Sequence, residues 1–157
     1  MRIGQGIDVH RVSGASDRAL WLGLVHVPDA PGLDGHSDAD VATHALCDAL
    51  LGAANLGDLG RYFPDSDPAF RDAPSRRLLE ATMALVHAEG YRVVSGDVTI
   101  IAERPTLALY MGAMSHELSS VVGAIVSVKA TTAEGLGALG RAEGIAASAV
   151  VLLEDQA

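Results

Sequence analysis

Residues 91–130, YRVVSGDVTIIAERPTLALYMGAMSHELSSVVGAIVSVKA, decide the fold class. The run 91–103 reads as a strand, 106–122 as a helix and 124–130 as a second strand. Working outward, a glycine-rich turn or short helix over 131–144 leads to a final strand over 145–153, and residues 75–89 upstream read as a helix capped by Gly90. Residues 58–74, DLGRYFPDSDPAFRDAP, read as a long loop, and loops beyond about 12–15 residues in compact domains are often functional. Before them a helix starts near Ser37, with Asp40 three residues on as a capping-box variant. It runs to about Gly57, with Leu46, Leu50 and Ala53 on the face expected to be buried. Residues 2–12 and 20–27 suggest strands, closed by the turn-rich PDAPGLDG at 28–35. The order β-β-α-α-β-α-β-β predicts an α/β (α+β) sandwich: a mixed sheet with helices on one face, forming a single domain over 1–157.

Composition limits the partners. The chain has 157 residues, 49% hydrophobic, 20% charged and 4% aromatic, so its core is aliphatic and large enough to stand without staples. A net charge of −9, with Lys129 the single lysine, argues against a nucleic-acid footprint. Cys47 is the only cysteine and reads as a small buried hydrophobe, which fits a reducing compartment. Trp21 reads as core, and His26, His87 and His116 as ordinary strand or helix positions. With neither a signal-like h-region nor a membrane-length apolar run, the expected location is the cytoplasm.

Three clusters carry chemistry. Asp8 and His10 lie two apart on a strand and therefore share a face; both are metal-ligand types. His44, about two turns into the first helix, could complete a set of one carboxylate and two imidazoles, which leaves a tetrahedral position open as in catalytic zinc sites. An ordinary strand surface would also accommodate a D-x-H pair. His36, Ser37, Asp38 and Asp40 sit in GHSDAD at a helix start, where backbone N–H groups favour an anion. Simple capping accounts for the serine and the aspartates but not for His36 or His44. KATTAEGLGALGRAEGIAA, 129–147, offers two threonines, two glutamates and four glycines, suited to a loop approaching a phosphate, with Glu134 able to hold a hard divalent cation. A glycine-rich turn with nothing bound would have the same composition.

Together DVH, HSDADVATHAL, FPDSDP and TTAEGLGALGRAEG, in that order, resemble the 2-C-methyl-D-erythritol 2,4-cyclodiphosphate synthases of the non-mevalonate isoprenoid pathway, along nearly the whole chain. The resemblance implies Asp8, His10 and His44 as zinc ligands, and Glu134 as the carboxylate for a second divalent metal, magnesium or manganese. It implies His36 and Thr132 as the residues stabilising the transition state. Asp58, Leu59 and Gly60, with Phe63, Pro64, Asp65, Ser66 and Asp67, match the loop that contacts the methylerythritol phosphate portion, and Asp8, Val9, His10, His36 and Ser37 match further substrate contacts. Ala102, Glu103, Arg104, Pro105, Thr106, Leu107 and Ala108, with Thr131, Thr132, Ala133, Glu134, Ala138 and Arg141, match the segments around the cytidine and its phosphates.

The implied reaction turns 4-diphosphocytidyl-2-C-methyl-D-erythritol 2-phosphate into the cyclic diphosphate and releases CMP, a phosphorus–oxygen lyase activity. The implied assembly is a homotrimer with active sites between subunits and an axial cavity able to take an isoprenoid diphosphate, lined in part by Arg141 and Glu143. The chain departs from the family pattern at Thr106, where a lysine is frequent, and at Ile7 and Ala138, where aromatics are. Two other readings use the same residues: a metal-dependent phosphoesterase, and a non-catalytic trimeric module binding a nucleotide or isoprenoid diphosphate.

Overall fold

A computed structural model describes residues 1–15 and 17–156. Strand β1 (Arg2–Arg11) is followed by the short strands β2 (Leu20–Leu22) and β3 (Val25–Val27), then helix α1 (Val41–Ala53), the helical turn α2 (Leu59–Tyr62) and helix α3 (Ser75–Ala88). Strand β4 (Tyr91–Ile101), helix α4 (Met111–Val122), strand β5 (Val126–Thr131), the turn α5 (Gly137–Gly140) and strand β6 (Gly144–Asp155) complete the chain. The main sheet runs β1-β6-β4-β5. Its β1–β6 and β6–β4 pairs are antiparallel, while β4–β5 is parallel. That parallel pair needs a crossover, and α4 supplies it, packing on β5. The expected mixed sheet with helices on one face is therefore present.

The element types follow the sequence, and the boundaries differ for physical reasons. Helix α1 starts at Val41 rather than near Ser37, because the Asp40 carboxylate accepts the Thr43 N–H and so acts as the cap. Ser37 Oγ instead accepts the Ala39 N–H at 3.2 Å, a local turn ahead of the helix. The helix after β4 begins at Met111 rather than 106. Residues 58–74 contain α2 and a 3-10 turn at Pro68–Phe70, capped by Asp58 and Asp67 respectively. The segment 20–27 is a hairpin, Leu20–Leu22 against Val25–Val27, rather than one strand. Trp21 is 37% exposed on that hairpin, with its ring 5.4 Å from His26, so it is not core.

Helix α1 is the centre of the packing. Every residue of it except Asp48 and Gly52 is buried, not just the face of Leu46, Leu50 and Ala53, because the sheet covers one side and α3 the other. Each fully buried leucine there stabilises the fold by about 1.5–3 kcal/mol. Strand β1 meets α1 through Gly4 and Gly6. A Cβ on Gly4 would lie 2.0 Å from the Ala49 carbonyl oxygen, and one on Gly6 2.1 Å from that of Ala45. The two glycines let the strand backbone lie directly on the helix. Because side chains alternate, Asp8 and His10 follow them on the helix-facing side, whereas Ile3, Ile7 and Val9 project from the opposite face.

Candidate metal centre and active site

Close packing of β1 on α1 delivers Asp8 to His44. The Asp8 Oδ2 atom lies 3.1 Å from His10 Nε2 and 3.1 Å from His44 Nδ1. One ligand atom from each residue falls within 4.8 Å of the others. His10 Nδ1 lies 2.5 Å from the Asp34 carbonyl oxygen and can only donate to it, which sets Nε2 facing Asp8. On the far side of the other ring, His44 Nε2 lies 3.2 Å from Ser37 Oγ and 3.0 Å from Ser75 Oγ. A carboxylate and two ring nitrogens thus converge on one point, an arrangement that calls for a shared positive charge, either protons on the imidazoles or a cation.

The electrostatics agree. Burial opposes ionisation of Asp8, but hydrogen bonds from the two imidazoles and their charge outweigh it, holding the carboxyl well below its usual range. The hydrogen bond to Asp8 raises His10, against the opposing effect of burial. The donor set, one oxygen and two nitrogens with room beside it, fits a catalytic divalent metal such as zinc.

The triad opens on a pocket of about 300 Å³. Its walls include His36, Ser37, Leu59, Gly60, Phe63 and Asp65, all of them positions expected from the sequence. His36 Nε2 lies 3.0 Å from the Asp67 carbonyl oxygen, so the imidazole is held against the 58–74 segment. Phe63 meets Phe70 edge-on at 5.3 Å. Asp58 and Asp67 face their own backbone, accepting the Arg61 N–H at 3.0 Å and the Ala69 N–H at 2.9 Å. Pro64 and Ser66 belong to the turn between Phe63 and Asp67.

Other residues of this pocket escaped the sequence reading. Asp48 lies one turn after His44 and so shares its face, a spacing that could have revealed it. It accepts the Leu59 N–H at 2.7 Å, and burial raises its carboxyl. Phe70 and Leu78 carry no local signal of their role, and neither does Ser75, which lies behind His44 outside the pocket wall.

The second group of expected residues lies elsewhere on the same chain. Thr131, Ile101, Ala146 and Val9 form one row across the sheet, so the end of β5 stands three strand spacings, about 14 Å, from β1. Glu103 holds the loop after β5 by accepting the Ala133 N–H at 3.2 Å. Thr132 Oγ1 donates to Glu134 Oε1 at 3.0 Å and accepts the Glu134 N–H at 3.2 Å. Both Thr132 and Glu134 are exposed. Arg104, Pro105 and Thr106 line a separate depression of about 550 Å³ with Val12 and Ile145, and its walls share no residue with the metal pocket. Ala102 and Leu107 are buried beneath it, Ala108 and Ala138 are exposed, and Arg141 Nε pairs with Glu143 Oε1 at 2.6 Å.

A mixed sheet carrying helices on one face, with a convergent Asp-His-His set at the end of its edge strand that could hold a metal ion, defines an α/β protein with a candidate metal site. The YgbB family profile matches residues 1–154, and the chain belongs to that family. It is 52% identical to the 2-C-methyl-D-erythritol 2,4-cyclodiphosphate synthase of Trichlorobacter lovleyi, over 99% of this chain and 100% of that one. The fold matches the bifunctional IspDF of Campylobacter jejuni with a TM-score of 0.92 at 38% identity, covering 98% of this chain and 42% of that longer protein. It also matches a CDP-bound form of 2C-methyl-D-erythritol-2,4-cyclodiphosphate synthase, with a TM-score of 0.87 at 37% identity, over 98% of this chain and 100% of that one. Among the described residues, no helix is long and apolar enough to cross a membrane.

Proposed function

We propose that this chain converts 4-diphosphocytidyl-2-C-methyl-D-erythritol 2-phosphate into 2-C-methyl-D-erythritol 2,4-cyclodiphosphate and CMP, as a cytoplasmic homotrimer. The convergence of Asp8, His10 and His44 at the mouth of a pocket is the observation that carries the reading. A 2-phosphate oxygen forms a bond to the β-phosphorus as the bond from that phosphorus to the oxygen bridging to the α-phosphate breaks, so CMP leaves and no water is consumed. Such a transfer asks for positioning and charge neutralisation rather than a protein nucleophile.

Asp8, His10 and His44 would hold zinc, and Glu134 a magnesium or manganese ion. When bound, these cations supply the positive charge that a chain of net charge −9 does not. His36, fixed through its Nε2, positions a phosphate from the metal side, and the Thr132 hydroxyl does so from the β5 side. Asp58 to Gly60 and Phe63 to Asp67 shape the methylerythritol end of the site. The 102–108 and 131–141 segments receive the cytidine and its phosphates.

The roughly 14 Å between those segments and the triad within one chain favours a site completed by a neighbouring subunit. The outer sheet face supports that assembly: Ile3, Ile7 and Val9 are 74%, 61% and 60% exposed there, an apolar surface that water would otherwise cover. The exposed Arg141–Glu143 pair is the polar feature left for an axial isoprenoid diphosphate.

Phosphorus NMR of the protein with this substrate and magnesium tests the reaction. CMP and a cyclic diphosphate should appear together and stop with a zinc chelator. Inorganic phosphate in their place would mark a hydrolase, and unchanged substrate a binding protein.

A further inference from the structure

The triad is reinforced from behind by two residues to which the proposed reaction gives no part. Ser75, the fully buried first residue of α3, sits between His44 and Asp38. Its Oγ lies 3.0 Å from His44 Nε2 and is also hydrogen-bonded to Asp38 Oδ1. The Asp38 carboxylate accepts further, from the Ser75 N–H at 2.8 Å on Oδ2 and from the Asp40 N–H at 3.2 Å on Oδ1. A carboxylate surrounded by donors is an acceptor at every contact, so the Ser75 hydroxyl proton must point at Asp38. Only the lone pairs of Ser75 Oγ then remain for His44, and the His44 Nε2 must carry the hydrogen. Ser37 Oγ, which already accepts the Ala39 N–H, offers a second acceptor to the same Nε2 at 3.2 Å.

We propose that Asp38 and Ser75 are positioning residues that lock His44 in its Nε2-protonated form, so that the Nδ1 lone pair faces Asp8 and the metal. This rests on reading the triad as a metal centre. The alternative tautomer would aim an N–H at the cation and remove a ligand, since only the unprotonated nitrogen binds. The arrangement also ties the centre to the substrate-facing segment. Residues 72–75 are bonded to 36–38 through Asp72 N–H to the His36 carbonyl at 2.8 Å and Asp38 N–H to the Ala73 carbonyl at 3.2 Å. The same clamp that orients His44 therefore anchors the end of the loop carrying Phe63 and Asp65.

The test is the nitrogen NMR signature of His44 in the zinc-free protein at alkaline pH, where the neutral ring carries a single hydrogen, followed by zinc affinity in a chelator competition. The wild type should show His44 protonated on Nε2. A wild-type Nδ1–H form would overturn the proposal without touching the reading of the triad, whereas failure of the wild type to take zinc at all would overturn that reading itself. Ser75→Ala should bring in the Nδ1–H form and weaken zinc binding by roughly 10–100-fold, the loss usual for a partner behind a ligand. Asp38→Asn keeps size but presents an amide that can turn the Ser75 hydroxyl toward His44, so it should act in the same direction even if Ser75→Ala does not fold. Ser75→Thr keeps the hydroxyl and should restore the wild-type tautomer. A folded Ser75→Ala or Asp38→Asn protein with unchanged His44 tautomer and unchanged zinc affinity would refute the positioning role.

Discussion

Two aspartates near the start of the same helix show what a carboxylate costs and what it does. Asp40 is fully buried and accepts four hydrogen bonds: from Gly23 N–H and Leu24 N–H at 2.8 Å each, Thr43 N–H at 3.0 Å and the Thr43 hydroxyl at 2.7 Å. It joins the β2–β3 hairpin to the start of α1, and its surroundings are all donors. Asp8 is half-buried and faces two imidazole nitrogens that, in their metal-ready state, are acceptors like itself. The first carboxylate completes its environment; the second leaves a charge to be met from outside. Structural and functional acids differ here in the sign of what surrounds them rather than in depth alone.

The largest expected effect breaks that contrast directly. Asp40→Ala orphans buried N–H groups and should lower the urea-measured stability of the metal-free protein by on the order of 4 kcal/mol. Asp8→Ala should cost less than that, because the half-buried site opens to water that can solvate the two imidazoles left behind, yet should abolish zinc uptake. Equal losses in the two variants would remove the distinction.

Glu134 extends the comparison to an exposed acid. Glu134→Ala should leave the melting temperature unchanged while raising the magnesium needed for half-maximal turnover at least about tenfold. An unchanged magnesium titration would take Glu134 out of the metal-holding set.

A smaller effect lies in the acid titration. Burial raises the Asp40 carboxyl above its ordinary 3.8, so between those values the folded protein holds more protons than the unfolded one. Its stabilisation is present below 3.8 and is lost as pH rises through the raised value. The hydrogen bond from Lys129 lowers the exposed Asp97, which has the opposite sense: its small contribution is present above 3.8 and is lost as pH falls through the lowered value. Urea midpoints from about pH 3 to 6 should give wild-type-minus-variant differences that fall with pH for Asp40→Asn and rise for Asp97→Asn. Slopes of the same sign would contradict the assigned environments.

The smallest effect is an expected silence. Burial pushes the Cys47 thiol up to about 12, so at neutral pH a thiol reagent should react only after unfolding. Labelling in native buffer at the rate of a free thiol would show that α1 is not packed as tightly as Gly4 and Gly6 allow.

Much of this molecule is legible in its chain. Hydrophobic runs and turn residues set the element order through local preference, and the two-residue spacing of Asp8 and His10 puts them on one face of any strand. Motif order pointed to His44, His36 and Glu134. Capping was harder to read: Ser37 and Asp40 are equally good caps locally, and the choice fell to Asp40 because the hairpin brings Gly23 and Leu24 to the same carboxylate. Trp21 read as core because it is large and apolar, but the hairpin leaves it at the edge.

What only the tertiary structure decided was direction and proximity. Nothing local distinguishes Ser75 from an ordinary helix start, and its hydroxyl acquires a role only where α3 docks beside Asp38 and His44. The meeting of β1 with α1 rests on glycines whose significance is the space they do not fill, a property of the neighbour and not of the residue. Likewise, the width of the sheet between Thr131 and Val9 is set by strand order, which local preference does not encode. Residue type and spacing act within a few residues along the chain, whereas hydrogen-bond polarity and packing act across segments far apart in sequence, and those are fixed only when the chain has folded.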